Sequence, residues 1–191
     1  MSEEMLVCHC SPTLAGLKTG SLFSCPYSSQ KMIIKEIREF NQKLTQKGIR
    51  IIPVRISDKR MLVYVYRPEK LKEDFSDEKT QIILKCKGYD CTNLSQCICR
   101  LIQKLQSDPD FPHEIGLFLG YPAEDVKGFI ENKAACSKCS GCWKVYGDEQ
   151  AARILFKKYK KCTEIYCRRW KSGVAVEQLT ITYNHKLQKG R

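Results

Sequence analysis

The chain has 191 residues, 42% hydrophobic and 28% charged, a balance that excludes a disordered polymer and suits one globular domain with its own core. No apolar run approaches the roughly 20 residues of a membrane-spanning helix, and residues 1–6 are acidic, without the basic region of a secretory signal, so a cytoplasmic protein is expected. The net charge of +12 is uneven: residues 151–191 carry +9, and the rest of the chain is nearly balanced.

In chain order, residues 1–7 read as a short leader. Ser11 suits an N-cap and Pro12 a first helical position. A short helix is therefore expected behind Cys10, with Leu14 and Leu17 on one face and Gly20 ending it. Residues 24–27 make a turn. A helix over 29–47 follows, its stripe Ile33, Ile37, Phe40 and Leu44 stopped by Gly48. Residues 49–56 and 61–66 are β-rich around the turn 57–60 and read as a hairpin, with Pro53 marking an edge or a bulge. Two short helices are expected over 68–75 and 76–86. Asn93 then caps a helix whose broad apolar face runs from Leu94 to Leu105.

Residues 114–119, apolar after Glu114 and bounded by Pro112 and by Gly120-Tyr121-Pro122, read as a buried strand with His113 at its mouth. Pro122 opens a short helix with Glu124 and Asp125 in its first turn. Residues 132–142 form a cysteine-rich loop of small residues. Residues 143–146 read as a strand and 149–162 as a helix with the stripe Ala152, Leu155, Phe156 and Tyr159. Residues 174–183 suit a strand or a helix. The sum is a single α+β domain over 1–191: a small, mostly antiparallel sheet flanked by several helices, with a basic C-terminal part over 151–191.

Twelve cysteines in a cytoplasmic protein point to free thiols, metal ligands or a nucleophile. Cys10 ahead of a helix start would have its thiolate stabilised by free amides and the helix dipole, and His113 could shuttle its proton. Asp148, after the 143–146 strand, is the first candidate to orient that histidine, and Asn132 the second. The order of an early cysteine on a helix and a later histidine on a strand resembles papain-like cysteine peptidases, and Cys10-Ser11-Pro12 is similar to the nucleophile segment of the bacteriocin-processing branch. That resemblance implies thiol acyl transfer or amide hydrolysis with no cofactor.

A second reading takes Cys136, Cys139 and Cys142, spaced by two residues, with Cys162 or Cys167 as a fourth ligand, to zinc or an iron–sulfur cluster in a metal- or redox-binding protein. Cys8, His9, Cys10 and Cys25 form another candidate cluster. A third reading takes the basic residues from Lys157 to Lys171 to an anionic carrier or peptide. Tyr159, Tyr166 and Trp170 interleave with them, but no nucleic-acid-binding motif is present. No glycine-rich phosphate loop, HExxH or kinase signature is present either.

Over the whole length, residues 9–18, 111–122, Asp125-Val126, Gly128-Phe129-Ile130, 143–146 and 159–163 resemble an uncharacterised bacterial family of short proteins, a domain of unknown function common in clostridia. The resemblance implies a bacterial cytoplasmic protein of about this length and brings no activity with it.

Overall fold

The strand at the centre, β3 (Arg60–Tyr66), has apolar or aromatic side chains on both faces. Met61, Val63 and Val65 enter one hydrophobic cluster, and Tyr64 and Tyr66 enter a second, so the period-2 alternation of the strand separates two cores. β1 (Gly20–Pro26) and β2 (Arg50–Ile56) pair antiparallel on either side of it, giving the order β1-β3-β2. The expected 49–66 hairpin is therefore present, and its register shifts between Pro53 and Arg55. Pro53 sits where a missing donor does least harm, at a bulge on an outer strand. The computed structural model describes residues 1–107 and 110–182.

On one face of the sheet lie α1 (Glu3–Leu14), α2 (Gln30–Leu44) and α9 (Val176–Leu179). On the other lie α3 (Pro68–Asp74), α4 (Glu78–Cys86), α5 (Leu94–Ser107), α6 (Ile115–Phe118) and α7 (Ala123–Glu131). A two-stranded hairpin, β4 (Cys139–Ser140) with β5 (Lys144–Val145), packs with α8 (Glu149–Lys171) around a third, smaller cluster of Trp143, Val145, Ala152 and Tyr159. α8 also packs along α1, which joins the hairpin unit to the sheet. The α+β class read from the sequence holds. Among the described residues no helix is long and apolar enough to cross a membrane.

Arg67, the residue after β3, is fully buried. Its guanidinium donates to the carbonyls of Thr13 and Leu14 at the end of α1 (2.7 Å each), of Lys47 (3.0 Å) and of Ile181 (2.8 Å). The last carbonyls of a helix have no intrahelical donor, and this planar fork supplies donors to two of them while holding the C-terminal segment against the sheet.

Four sequence expectations are corrected. First, where a short leader was expected over 1–7 the chain is already helical: α1 starts at Glu3, with Ser2 accepting from the Met5 amide. Leu6, Val7, Cys10 and Leu14 recur on one helical face and are buried against the sheet, so helix formation reaches back past Cys10. Ser11 is no cap; its hydroxyl donates to the Val7 carbonyl one turn back. Second, Gly20 begins β1 instead of ending a helix, and the strand runs through Pro26 where a turn over 24–27 was expected. A Cβ there would come within 2.6 Å of the Tyr64 ring and 2.8 Å of the Phe118 carbonyl oxygen. Third, the apolar run 114–119 is a helical turn, α6. Fourth, α8 continues to Lys171, because Tyr166, Cys167 and Trp170 extend its stripe against the first core. Of 174–183, residues 176–179 form α9; Tyr183 and His185 lie outside the described residues.

Candidate functional site

Cys142 stands in the turn of the β4–β5 hairpin, and that hairpin is pinned from below by one carboxylate. Asp125 in α7 is buried. One of its oxygens accepts from Trp143 Nε1 at 2.7 Å; the other accepts from the amides of Tyr146 at 2.7 Å and Gly147 at 2.8 Å. Trp143 is then fixed between rings, stacked on Tyr121 (centroids 4.7 Å apart) and edge-on to Phe156 of α8 (4.6 Å). The preceding segment is tied down by Lys144 Nζ donating to the Ala134 carbonyl and by the Tyr146 hydroxyl donating to the Ala135 carbonyl.

Two cavities meet at Cys142. The first, about 330 Å³, is walled by Leu119, Tyr121, Val126, Phe129 and Trp143, with His113 and Cys142 among its few polar groups. The second, about 540 Å³, lies between α1 and α8; its lining includes His9, Lys18, Lys160 and one acid, Glu164, with Cys167 and Cys142.

Lys18 follows α1 on the turn into β1. Its ammonium sits 5.1 Å from the Tyr121 ring centroid. Burial lowers its pKa, opposed by the nearby Cys142 and Cys10 sulfurs. Burial raises the Cys142 thiol, opposed by the Lys18 charge. Desolvation penalises the charged form of each group, and the attraction between an ammonium and a thiolate opposes it in both.

The sequence-derived Cys10–His113 pair is not assembled. Cys10 lies in the last turns of α1, wholly buried, and lines neither cavity. Burial pushes its thiol far above the ordinary range, against weaker opposing pulls from Lys18 and the Ser21 hydroxyl. The helix-start argument for a stabilised thiolate applies to a residue ahead of the first turn, and Cys10 is not one. His113 is exposed at the rim of the first cavity, its ring edge-on to Phe129 at 4.9 Å. Asp148 caps α8 by accepting from the Ala151 amide at 3.0 Å, and Asn132 donates to the Gly128 carbonyl at 2.8 Å; both side chains serve helix ends.

The cysteine loop does not gather a metal site either. Among the described residues no group of three or more His, Cys, Asp or Glu side chains converges, so Cys136, Cys139, Cys142 and Cys162 do not form the expected ligand set, nor do Cys8, His9, Cys10 and Cys25. β-pairing accounts for the first: Cys139 is held opposite Val145, while Cys142 stands in the turn beyond and Cys162 belongs to the buried stripe of α8.

Sequence reasoning missed Lys18, Tyr121 and the clamping role of Asp125. The available signal was Trp143, whose indole N–H needs an acceptor when buried, with an acidic residue on the preceding helix.

The family described as a protein of unknown function, DUF3793, matches residues 6–180. The chain belongs to the DUF3793 family. The match takes in all but the first residues of α1 and reaches through α9, so the residues that line both cavities and form the hairpin lie within the matched segment. No curated protein and no solved structure matches.

Proposed function

We propose that this chain is a thiol-dependent acyl transferase in which Cys142, not Cys10, accepts the acyl group. The observation that carries the reading is the position of Cys142 at the meeting of a mainly apolar cavity and a basic one. A thioester has that division: an apolar acyl group on one side of the carbonyl, and a carrier, commonly anionic, on the other. In the reaction, Lys18 in its free-amine form takes the proton from Cys142 Sγ, the sulfur attacks the thioester carbonyl, and the bond to the carrier sulfur breaks. The carrier thiolate leaves with the proton held by Lys18. In this reading His113, which lines the apolar cavity, serves the second half-reaction, the delivery of the acyl group to an acceptor nucleophile or to water.

The anionic carrier is suited by Lys160 in the basic cavity and by Lys157, Lys158, Lys161, Arg168 and Arg169 elsewhere on α8. The reading needs no cofactor. Twelve unpaired thiols suit a reducing bacterial cytoplasm, where we place the protein.

The test is release of carrier thiol from a series of acyl thioesters. Cys142→Ser should abolish it. Lys18→Met should slow it while leaving binding of the acyl group unchanged, and Cys10→Ala should leave it nearly intact. Unchanged release by Cys142→Ser would end the reading.

A further inference from the structure

Cys8 and Cys167 lie 159 positions apart in sequence, yet their sulfurs are 3.8 Å apart. The approach comes from the packing of α1 along α8. Cys8 is exposed and Cys167 half-buried, so solvent reaches the pair. Neither belongs to a group of three converging metal ligands among the described residues.

We propose that Cys8 and Cys167 are a redox-active dithiol that closes to a reversible disulfide between α1 and α8. The bond requires the sulfurs to close from 3.8 Å to about 2.05 Å. The oxidant is a low-molecular-weight disulfide. The exposed Cys8 sulfur, as thiolate, attacks one sulfur of that molecule; its S–S bond breaks and the first small thiol leaves. The Cys167 thiolate then attacks Cys8 Sγ in the mixed disulfide, and the second small thiol leaves. The protein gives up two electrons and two protons, and the small disulfide takes up both to become two thiols.

The order of attack follows from access. Burial and the adjacent Cys8 both raise the Cys167 thiol, which suits it to resolve the mixed disulfide and not to start the reaction. The rival pair is Cys91 and Cys97. There Cys97 is wholly buried and its thiol donates to the Asp90 carbonyl at 2.9 Å, so it is shielded and engaged. Cys167 lines the basic cavity, and a bond to Cys8 would fix α1 against α8 at its edge. The proposal is independent of whether Cys142 carries acyl groups.

The experiment uses the full chain, reduced without oxygen and then exposed to glutathione disulfide at increasing ratios to glutathione. Samples are acid-quenched, alkylated and peptide-mapped. The first internal bond to appear should join Cys8 to Cys167, with the mass of two hydrogens lost and the unfolding midpoint raised. Cys8→Ser, a surface change, should lose that bond with its helical signal unchanged, and Cys142→Ser should form it as the parent does. If another pair closes first, or if Cys8 and Cys167 stay as separate mixed disulfides, the proposal is overturned.

Discussion

Asp125 holds three donors with two oxygens, and both oxygens must be acceptors. Replacing it with Asn turns one of them into an amide facing an N–H group, either the Trp143 indole or the Tyr146 and Gly147 amides. Asp125→Asn is expected to lose on the order of 2 kcal/mol of stability, with a shift in Trp143 fluorescence, read by denaturant unfolding followed at the indole. Glu114 supplies a pH-dependent counterpart. Burial pushes its carboxyl up, but the Lys104 ammonium at 2.7 Å and the Tyr89 hydroxyl at 3.1 Å prevail and hold it below its ordinary value. Because the folded value is the depressed one, the stabilisation is complete above the unfolded carboxylate's pKa of about 4.3 and disappears as pH falls through the folded value. Lys104→Met should therefore be less stable than the parent at neutral pH, by on the order of 3 kcal/mol for a broken buried pair, and the gap should narrow on acidification below that value. The Glu114 role was not open to sequence reasoning, and for Asp125 the one signal was the need of the Trp143 indole for an acceptor. Asp125 is recognisable as a first-turn acid, and only the return of the 143–147 segment onto α7 shows what it binds.

At the scale of elements, what was legible was periodic and long. The stripe of α2, the face of α5 and the β2–β3 hairpin all follow from spacing, and Pro53 correctly marked an irregular edge. The failures were short apolar segments. Residues 114–119 are buried on every side, so hydrophobicity carries no period, and a single helical turn reads like a strand. Ser11-Pro12 has the chemistry of a helix start, but four buried positions of α1 along the sheet outweigh it. Glycines at the hairpin show how closely the elements meet. A Cβ on Gly141 would lie 2.3 Å from the Phe156 ring, and one on Gly128 would lie 2.4 Å from the Tyr146 ring. Gly141→Ala is expected to cost about 1–3 kcal/mol, as overpacking does, and to change the near-ultraviolet circular dichroism of Trp143, which packs on the same Phe156 ring.

Across the whole molecule, two cores share one sheet, and the third cluster is mounted on α8, beside α1, with the basic cavity between those helices and the apolar one between the hairpin and residues 111–129. This is why the site was least legible. Lys18 comes from the turn after α1, Cys142 from the hairpin and Lys160 from α8, and no local pattern announces their meeting. The charge is also a whole-molecule property. With a net charge of +12 concentrated toward the C-terminal part, a thioester on an anionic carrier should acylate the protein faster than a neutral thioester of the same acyl group. That advantage should shrink as salt shortens the screening length to about 3 Å at 1 M. An advantage unaffected by salt would remove α8 from substrate recognition.

The most direct measurement is peptide mapping of the reduced full chain after brief incubation with an acyl thioester, quenched in acid to preserve thioester bonds. The acyl mass is expected on Cys142, to be absent from Cys142→Ser, and to accumulate more slowly in Lys18→Met. An acyl group found instead on Cys10, or spread over the exposed thiols in proportion to their accessibility, would contradict the account.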